Sequence, residues 1–156
     1  MKKLIFQHDA MDCGPSCLAM LIKYYGRKSN IAIIRHYSTL NKDGSSLLGI
    51  SKAAENMGFK TLAGRLSFKT LAEEAPLPCI IHWDQNHFVI VYKIKKNKRN
   101  DFFIHIADPM KGFLTYTKDD FLEHWASSIS NGEEKGIALL LEPTESFYVL
   151  RSEERL

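Results

Sequence analysis

The order of periodicities along this chain predicts an α+β domain, an N-terminal helical layer packed on an antiparallel β-sheet. Helical spacing of apolar residues dominates up to Gly58. Apolar runs of strand length take over from Phe59 onward, and the polar turns between them are short enough to join antiparallel neighbours. A chain of 156 residues is long enough for one well-buried core, so one domain is the expectation.

The first helix is predicted from Gly14 to Tyr25, with Pro15 in its opening turn and Gly26 as its C-terminal cap. Leu18, Leu21, Ile22 and Tyr25 repeat at helical spacing and predict one buried face. Ser29 is a candidate cap for a short second helix carrying Ile31, Ile34 and Tyr37. Ser45 or Ser46 caps a third, with Leu47, Ile50, Ala54 and Met57 inward and Gly58 at its end. Phe59 to Leu66 reads as a strand and Ser67 to Glu74 as a short helix. Cys79 to Trp83 and His87 to Ile94 form two strands joined by Asp84-Gln85-Asn86. Phe102 to Ala107 and Gly112 to Tyr116 follow around Asp108-Pro109-Met110-Lys111. Thr117 to Asp120 opens a helix running through Trp125, and Ile137 to Leu141 is the last strand. Glu142 to Leu156 is charged and aperiodic. The expected organisation is therefore a domain over 1–143 and a C-terminal linker over 144–156, with a frayed terminus as the alternative reading of the tail.

Composition closes off several function classes. A net charge of +3 is too small to argue for nucleic acid, and the one dense basic run, Lys93 to Arg99, lies between two apolar runs where a solvated hairpin loop is expected. Three cysteines, an odd number, argue against a disulfide framework and for a reducing, cytosolic compartment. The apolar run after Lys2-Lys3 is far too short for a signal peptide. Nothing approaches the ~20 apolar residues of a membrane span, so no membrane insertion by this segment is expected.

The candidate chemistry centres on Cys13. It stands where a helix begins, so the helix dipole favours its thiolate, and Gln7 lies six residues upstream, where it can donate to an oxyanion. A thiolate nucleophile also needs a base and a group to orient that base. His87, which opens the strand Phe88 to Val91, is the candidate base. Asp108, at the end of the strand Phe102 to Ala107, is the candidate orienter if the two strands are neighbours. The backbone N–H of Cys13 would then join Gln7 in an oxyanion hole.

Gln7 with Asp12-Cys13-Gly14, then Cys17 to Met20 and Tyr25-Gly26, resembles the N-terminal signature of the bacteriocin-processing cysteine peptidases. These are the peptidase domains of peptidase-containing ABC transporters. The resemblance runs on through Asp43-Gly44-Ser45, Leu48-Gly49-Ile50, Ala54 to Phe59 and Pro78 to Trp83. It ends with Asn86 to Val91 and Ala107-Asp108-Pro109, covering about residues 5–143. It implies a papain-like fold and cleavage of leader peptides after a Gly-Gly pair, coupled to export. It implies Cys13 as nucleophile, His87 as general base and then acid, Asp108 as orienter and Gln7 as oxyanion donor. It further implies a precursor peptide with a helical double-glycine leader as substrate, and the transmembrane and nucleotide-binding domains of an ABC transporter as partners. The place would be the cytosolic face of the bacterial plasma membrane, with the 144–156 linker leading to a transmembrane domain. No cofactor is expected in this domain. There is no GxxxxGK run followed by Ser or Thr, so ATP would bind elsewhere in a longer protein.

The remaining candidates are read as structural. Cys17 and Cys79 are expected in the core. His8, His36, His82, His105 and His124 lack metal-ligand spacing, and His82 and His105 fall within strands near the proposed site, where they can support it. Asp12 is expected to cap the first helix by accepting a backbone N–H, with shaping of the site as the alternative. Trp83 and Trp125 are expected as core or rim aromatics. The rivals are a non-catalytic domain that docks leader or cargo on an exporter, and a metal-dependent hydrolase built on the histidines.

Overall fold

The computed structural model describes residues 1, 13–28, 31–38 and 46–154. Three helices come first, α1 (Cys13–Tyr24), α2 (Ile31–Ser38) and α3 (Leu47–Asn56). The sheet follows as β1 (Phe59–Ser67), β2 (Cys79–Trp83), β3 (His87–Lys96), β4 (Phe102–Asp108), β5 (Gly112–Thr117), β6 (Ala126–Ser130) and β7 (Glu133–Pro143). Two short helices interrupt it, α4 (Phe68–Glu73) and α5 (Lys118–Trp125), and α6 (Glu145–Glu154) closes the described chain. All strand pairs are antiparallel, in the order β1-β7-β2-β3-β4-β5, with β6 also on β7. The α+β expectation holds.

The continuous apolar runs have a physical reason: the central strands are covered on both faces. Ile80, Phe88, Ile90 and Leu139 face the layer of α1, α2 and α3. Ile81, Val89, Val91 and Ala138 face α4 and α5 with Phe68, Phe121, Trp83 and Trp125. Strands buried on both sides lose the polar half of the alternation. α1 departs from the one-sided helix expected of it. Every residue from Cys13 to Ile22 is buried, because α1 lies between β3 on one side and α2 and α3 on the other.

The caps follow the sequence. Ser46 Oγ accepts from the Gly49 N–H at 3.0 Å at the start of α3, and Ser67 and Thr117 cap α4 and α5 in the same way. The expected cap at Ser29 lies outside the described residues.

Two elements differ from expectation. β6 went unrecognised and β7 starts at Glu133 rather than Ile137, because these segments form an outer ribbon with little burial; Ile129 is 74% exposed. The Asn131-Gly132 pair at its turn, with φ of 53° and 79°, is the hairpin signal that marks it. The segment expected as a linker begins as α6, and its Phe147 is fully buried among Tyr25, Phe59 and the Arg27 guanidinium. Gly58 makes this possible: its φ is 99°, and a Cβ there would collide with the Phe147 backbone. Thr144 adds backbone and hydroxyl hydrogen bonds to the Gly58 carbonyl, at 3.0 and 2.6 Å. The packed unit thus extends past 143.

Candidate active site

Cys13 is the first residue of α1 and is 5% exposed. At a helix start the first four backbone N–H groups have no partner within the helix, so the thiol and its own N–H lie at the positive end of the dipole. α1 packs on β3, the strand that His87 opens. β3 pairs with β4, with Ile90 opposite Ala107, and this places the start of β3 beside the end of β4. The adjacency assumed from the sequence is therefore present.

His87 and Asp108 meet directly. His87 Nε2–H donates to Asp108 Oδ1 at 2.8 Å, and the Cys13 thiol interacts with the same imidazole. Asp108 Oδ1 further accepts from the backbone N–H groups of Met110 at 2.8 Å and Lys111 at 3.4 Å. The turn expected at Asp108-Pro109-Met110-Lys111 thus serves as a cradle for the carboxylate.

The electrostatics follow from this geometry. Burial works against a charge on His87, but the hydrogen bonds to Asp108 and Cys13, with the fields of both, outweigh it and raise its pKa to about 9. Burial likewise raises Asp108, yet the hydrogen bonds from His87, Met110 and Lys111 and the imidazolium field bring it below the usual carboxylate range. Both groups are thus held in their charged forms around neutral pH. The arrangement can accept a proton from a thiol, hold the resulting imidazolium and return the proton to a leaving group.

Cys17, one turn further along α1, is fully buried, and its Sγ–H is directed at the Phe88 carbonyl at 3.4 Å. Burial first, then the fields of Cys13 and Asp108, push its thiol well up. Burial pushes Cys79 up to about 12. Both are inert core residues, as expected. Trp83 and Trp125 are each 2% exposed and belong to the core. Gln7, Asp12, His8 and Asp43-Gly44-Ser45 lie outside the described residues. Among the described residues, no three His, Cys, Asp or Glu side chains group to hold a metal ion, and no helix is long and apolar enough to cross a membrane.

Beside His87 lies a cleft of about 220 Å³, lined by Ser46 and Leu47 at the start of α3, by His82, Asn86 and Phe88 of the β2–β3 hairpin, and by Ile137 of β7. His82 is half-buried there, and burial lowers its pKa against a backbone hydrogen bond at Gln85. Of this lining the sequence signalled only His82, because the rest converges from separate segments.

A family model described as the Peptidase C39 family matches residues 1–133. Among curated proteins, the lactococcin-G-processing and transport ATP-binding protein of Lactococcus lactis is 39% identical over 130 residues, covering 80% of this chain. The chain spans only 18% of that relative's length. Among solved structures, a double glycine motif protease from an AMS/PCAT transporter, in complex with its leader peptide, matches with a TM-score of 0.75 and 32% identity over 91% of each chain. The peptidase domain of Streptococcus ComA, a bi-functional ABC transporter, matches at 0.73 and 30% identity over 92% of this chain and all of that one.

Proposed function

The chain belongs to the Peptidase C39 family, and we propose that its cysteine endopeptidase activity is directed at leader peptides, cut after a Gly-Gly pair as part of peptide export. The observation that carries the reading is the Cys13–His87–Asp108 contact chain at the N-terminus of α1.

The steps follow from the proton positions. Transfer of the Cys13 thiol proton to the imidazole leaves His87 as the imidazolium, the form that its raised pKa favours, and the thiolate attacks the glycyl carbonyl carbon. The tetrahedral oxyanion is met by the backbone N–H of Cys13 and by Gln7 as the second donor. His87 then gives its proton to the departing amine, leaving a thioester between the leader's terminal glycine and Cys13. A water, deprotonated by the now neutral His87, hydrolyses that thioester. The proton returns to Cys13 as the free leader carboxylate departs. Asp108 fixes the ring orientation throughout and balances the imidazolium charge.

The leader would dock as an amphipathic helix whose last residues run extended into the site. The cleft between the start of α3 and the β2–β3 hairpin adjoins His87 and is suited to a substrate side chain near the cut bond. The two glycines would pass where no side chain is accommodated. The partners would be the membrane-spanning and nucleotide-binding domains of an ABC transporter, with this domain on the cytosolic side. ATP would bind there and not here.

The test is cleavage of candidate Gly-Gly leader peptides, with mass spectrometry of the products. A single cut after the second glycine, lost in Cys13→Ala, supports the reading. Efficient cutting by Cys13→Ala, or a cut elsewhere, overturns it. Rapid alkylation of Cys13 by iodoacetamide near neutral pH separates the enzyme from a docking module, in which the thiol would be inert.

A further inference from the structure

The turn that delivers His87 is held in an unfavourable backbone conformation by groups that take no part in the chemistry above. Asp84 and Gln85 both have positive φ, 50° and 67°, a region that residues with side chains rarely occupy. Hairpins ordinarily place Asn-Gly at such positions, and this chain does so at Asn131-Gly132, where the turn is exposed. At the β2–β3 turn it places Asp-Gln instead, and contacts from outside the hairpin hold the conformation.

From α5, the His124 carbonyl accepts the Asp84 N–H at 2.9 Å, and His124 Nδ1 lies 2.6 Å from Asp84 Oδ1. The His124 ring lies flat on Trp83, with centroids 4.8 Å apart and planes 12° apart, and Tyr116 meets it edge-on. On the opposite face of the hairpin, the His82 ring leans on Phe88, with centroids 5.4 Å apart. Trp83 pairs across the ladder with His87 itself, so the clamped residues and the base sit on the same two strand ends.

We propose that the Asp84–His124 pair is a positioning device for the general base, holding the β2–β3 turn so that His87 is presented between Cys13 and Asp108. Neither residue touches the reacting atoms. Both act through the backbone of Asn86 and His87. The inference rests on the reading of His87 as the base, and its test includes a measurement that needs no substrate.

The variants are His124→Phe, which keeps a ring over Trp83 but removes the donor, Asp84→Ala, which removes the acceptor, and Asp84→Asn, which keeps an oxygen acceptor. For a Gly-Gly leader peptide, kcat should fall about tenfold in His124→Phe and Asp84→Ala with KM nearly unchanged, a part of the roughly 100-fold that an ångström of misplacement costs. The upper limb of the kcat–pH profile should move toward neutral as His87 loses its fixed carboxylate, and the pH midpoint for iodoacetamide alkylation of Cys13 should rise as the imidazolium that favours the thiolate is weakened. Asp84→Asn should restore both. Unchanged profiles in folded His124→Phe and Asp84→Ala overturn the proposal, as does equal loss in Asp84→Asn. If one of the first two fails to fold, the other reads the same outcome. If both unfold, the pair holds the fold rather than the base, and the proposal falls. Loss of peptide cleavage in the wild-type chain, with the alkylation shift intact, would overturn the leader-peptidase reading and leave the positioning role standing.

Discussion

The two faces of the sheet are buried alike but used differently. The layer of α1, α2 and α3 carries Cys13, the proposed nucleophile, at a helix terminus, whereas α5 on the other face contacts the hairpin that carries His87, the proposed base. Cys13 is placed by a long central helix buried along its length from Cys13 to Ile22, which anchors its terminus firmly. His87 is placed by a strand end next to a turn, a weaker anchor, and Asp108, its cradle and the α5 contacts supply what the backbone lacks. A site assembled between two layers needs both to be rigid, because an error in either opens the same hydrogen bonds.

The largest effect expected is loss of the nucleophile. Cys13→Ala should lower kcat/KM by roughly 10⁴-fold or more, whereas Cys17→Ala, one turn away, should leave cleavage near wild type; steady-state kinetics on a leader peptide separates them. Comparable losses in the two variants would break the distinction drawn between the two thiols.

The second test addresses the base. Asp108→Asn keeps an oxygen toward His87 but removes the charge, so the upper limb of the pH–rate profile should fall from near 9 toward about 6.5. A limb that stays near 9 would show that the carboxylate does not hold the imidazolium.

On the stability side, His87 has a folded pKa above its ordinary 6.5. Its contribution is therefore fully present below pH 6.5 and is lost as pH rises through about 9. Asp108 is depressed below 3.8, so its contribution is present above that value and is lost as pH falls through the lower folded pKa. Urea unfolding at intervals from pH 3 to 10 should show a fall at both ends, and Asp108→Asn should flatten both.

A further variant sharpens where the packed unit ends. Phe147→Ala should cost about 3 kcal/mol in chemical unfolding, since it empties a fully buried site between α1, β1 and α6. An effect below about 0.5 kcal/mol would return α6 to the status of a tail. The smallest effect is expected at the exposed β3–β4 loop, where Lys98→Gln should change stability by less than about 0.5 kcal/mol.

Much of the molecule was legible locally. The capping serine before α3, the glycine after it and the apolar runs of β2 and β3 are signals carried by a few adjacent residues. Cys13 and His87 were legible as candidates for the same reason, one at a helix start and the other at a strand start. α6 was not, because its buried Phe147 depends on the bare surface of Gly58, almost ninety residues earlier. Nor was the pairing of His124 with Asp84, forty residues apart, where each residue alone reads as an ordinary polar surface position.

By itself, then, the sequence determined the order of helices and strands and offered Cys13, His87 and Asp108 as candidates, because caps, turns and periodicity act over a few residues. Only the tertiary structure decided that His87 Nε2 meets Asp108, that Cys17 is sealed away, and that α5 clasps the turn before His87. Those outcomes depend on burial and on contacts between distant segments, which take effect only once both faces of the sheet are covered.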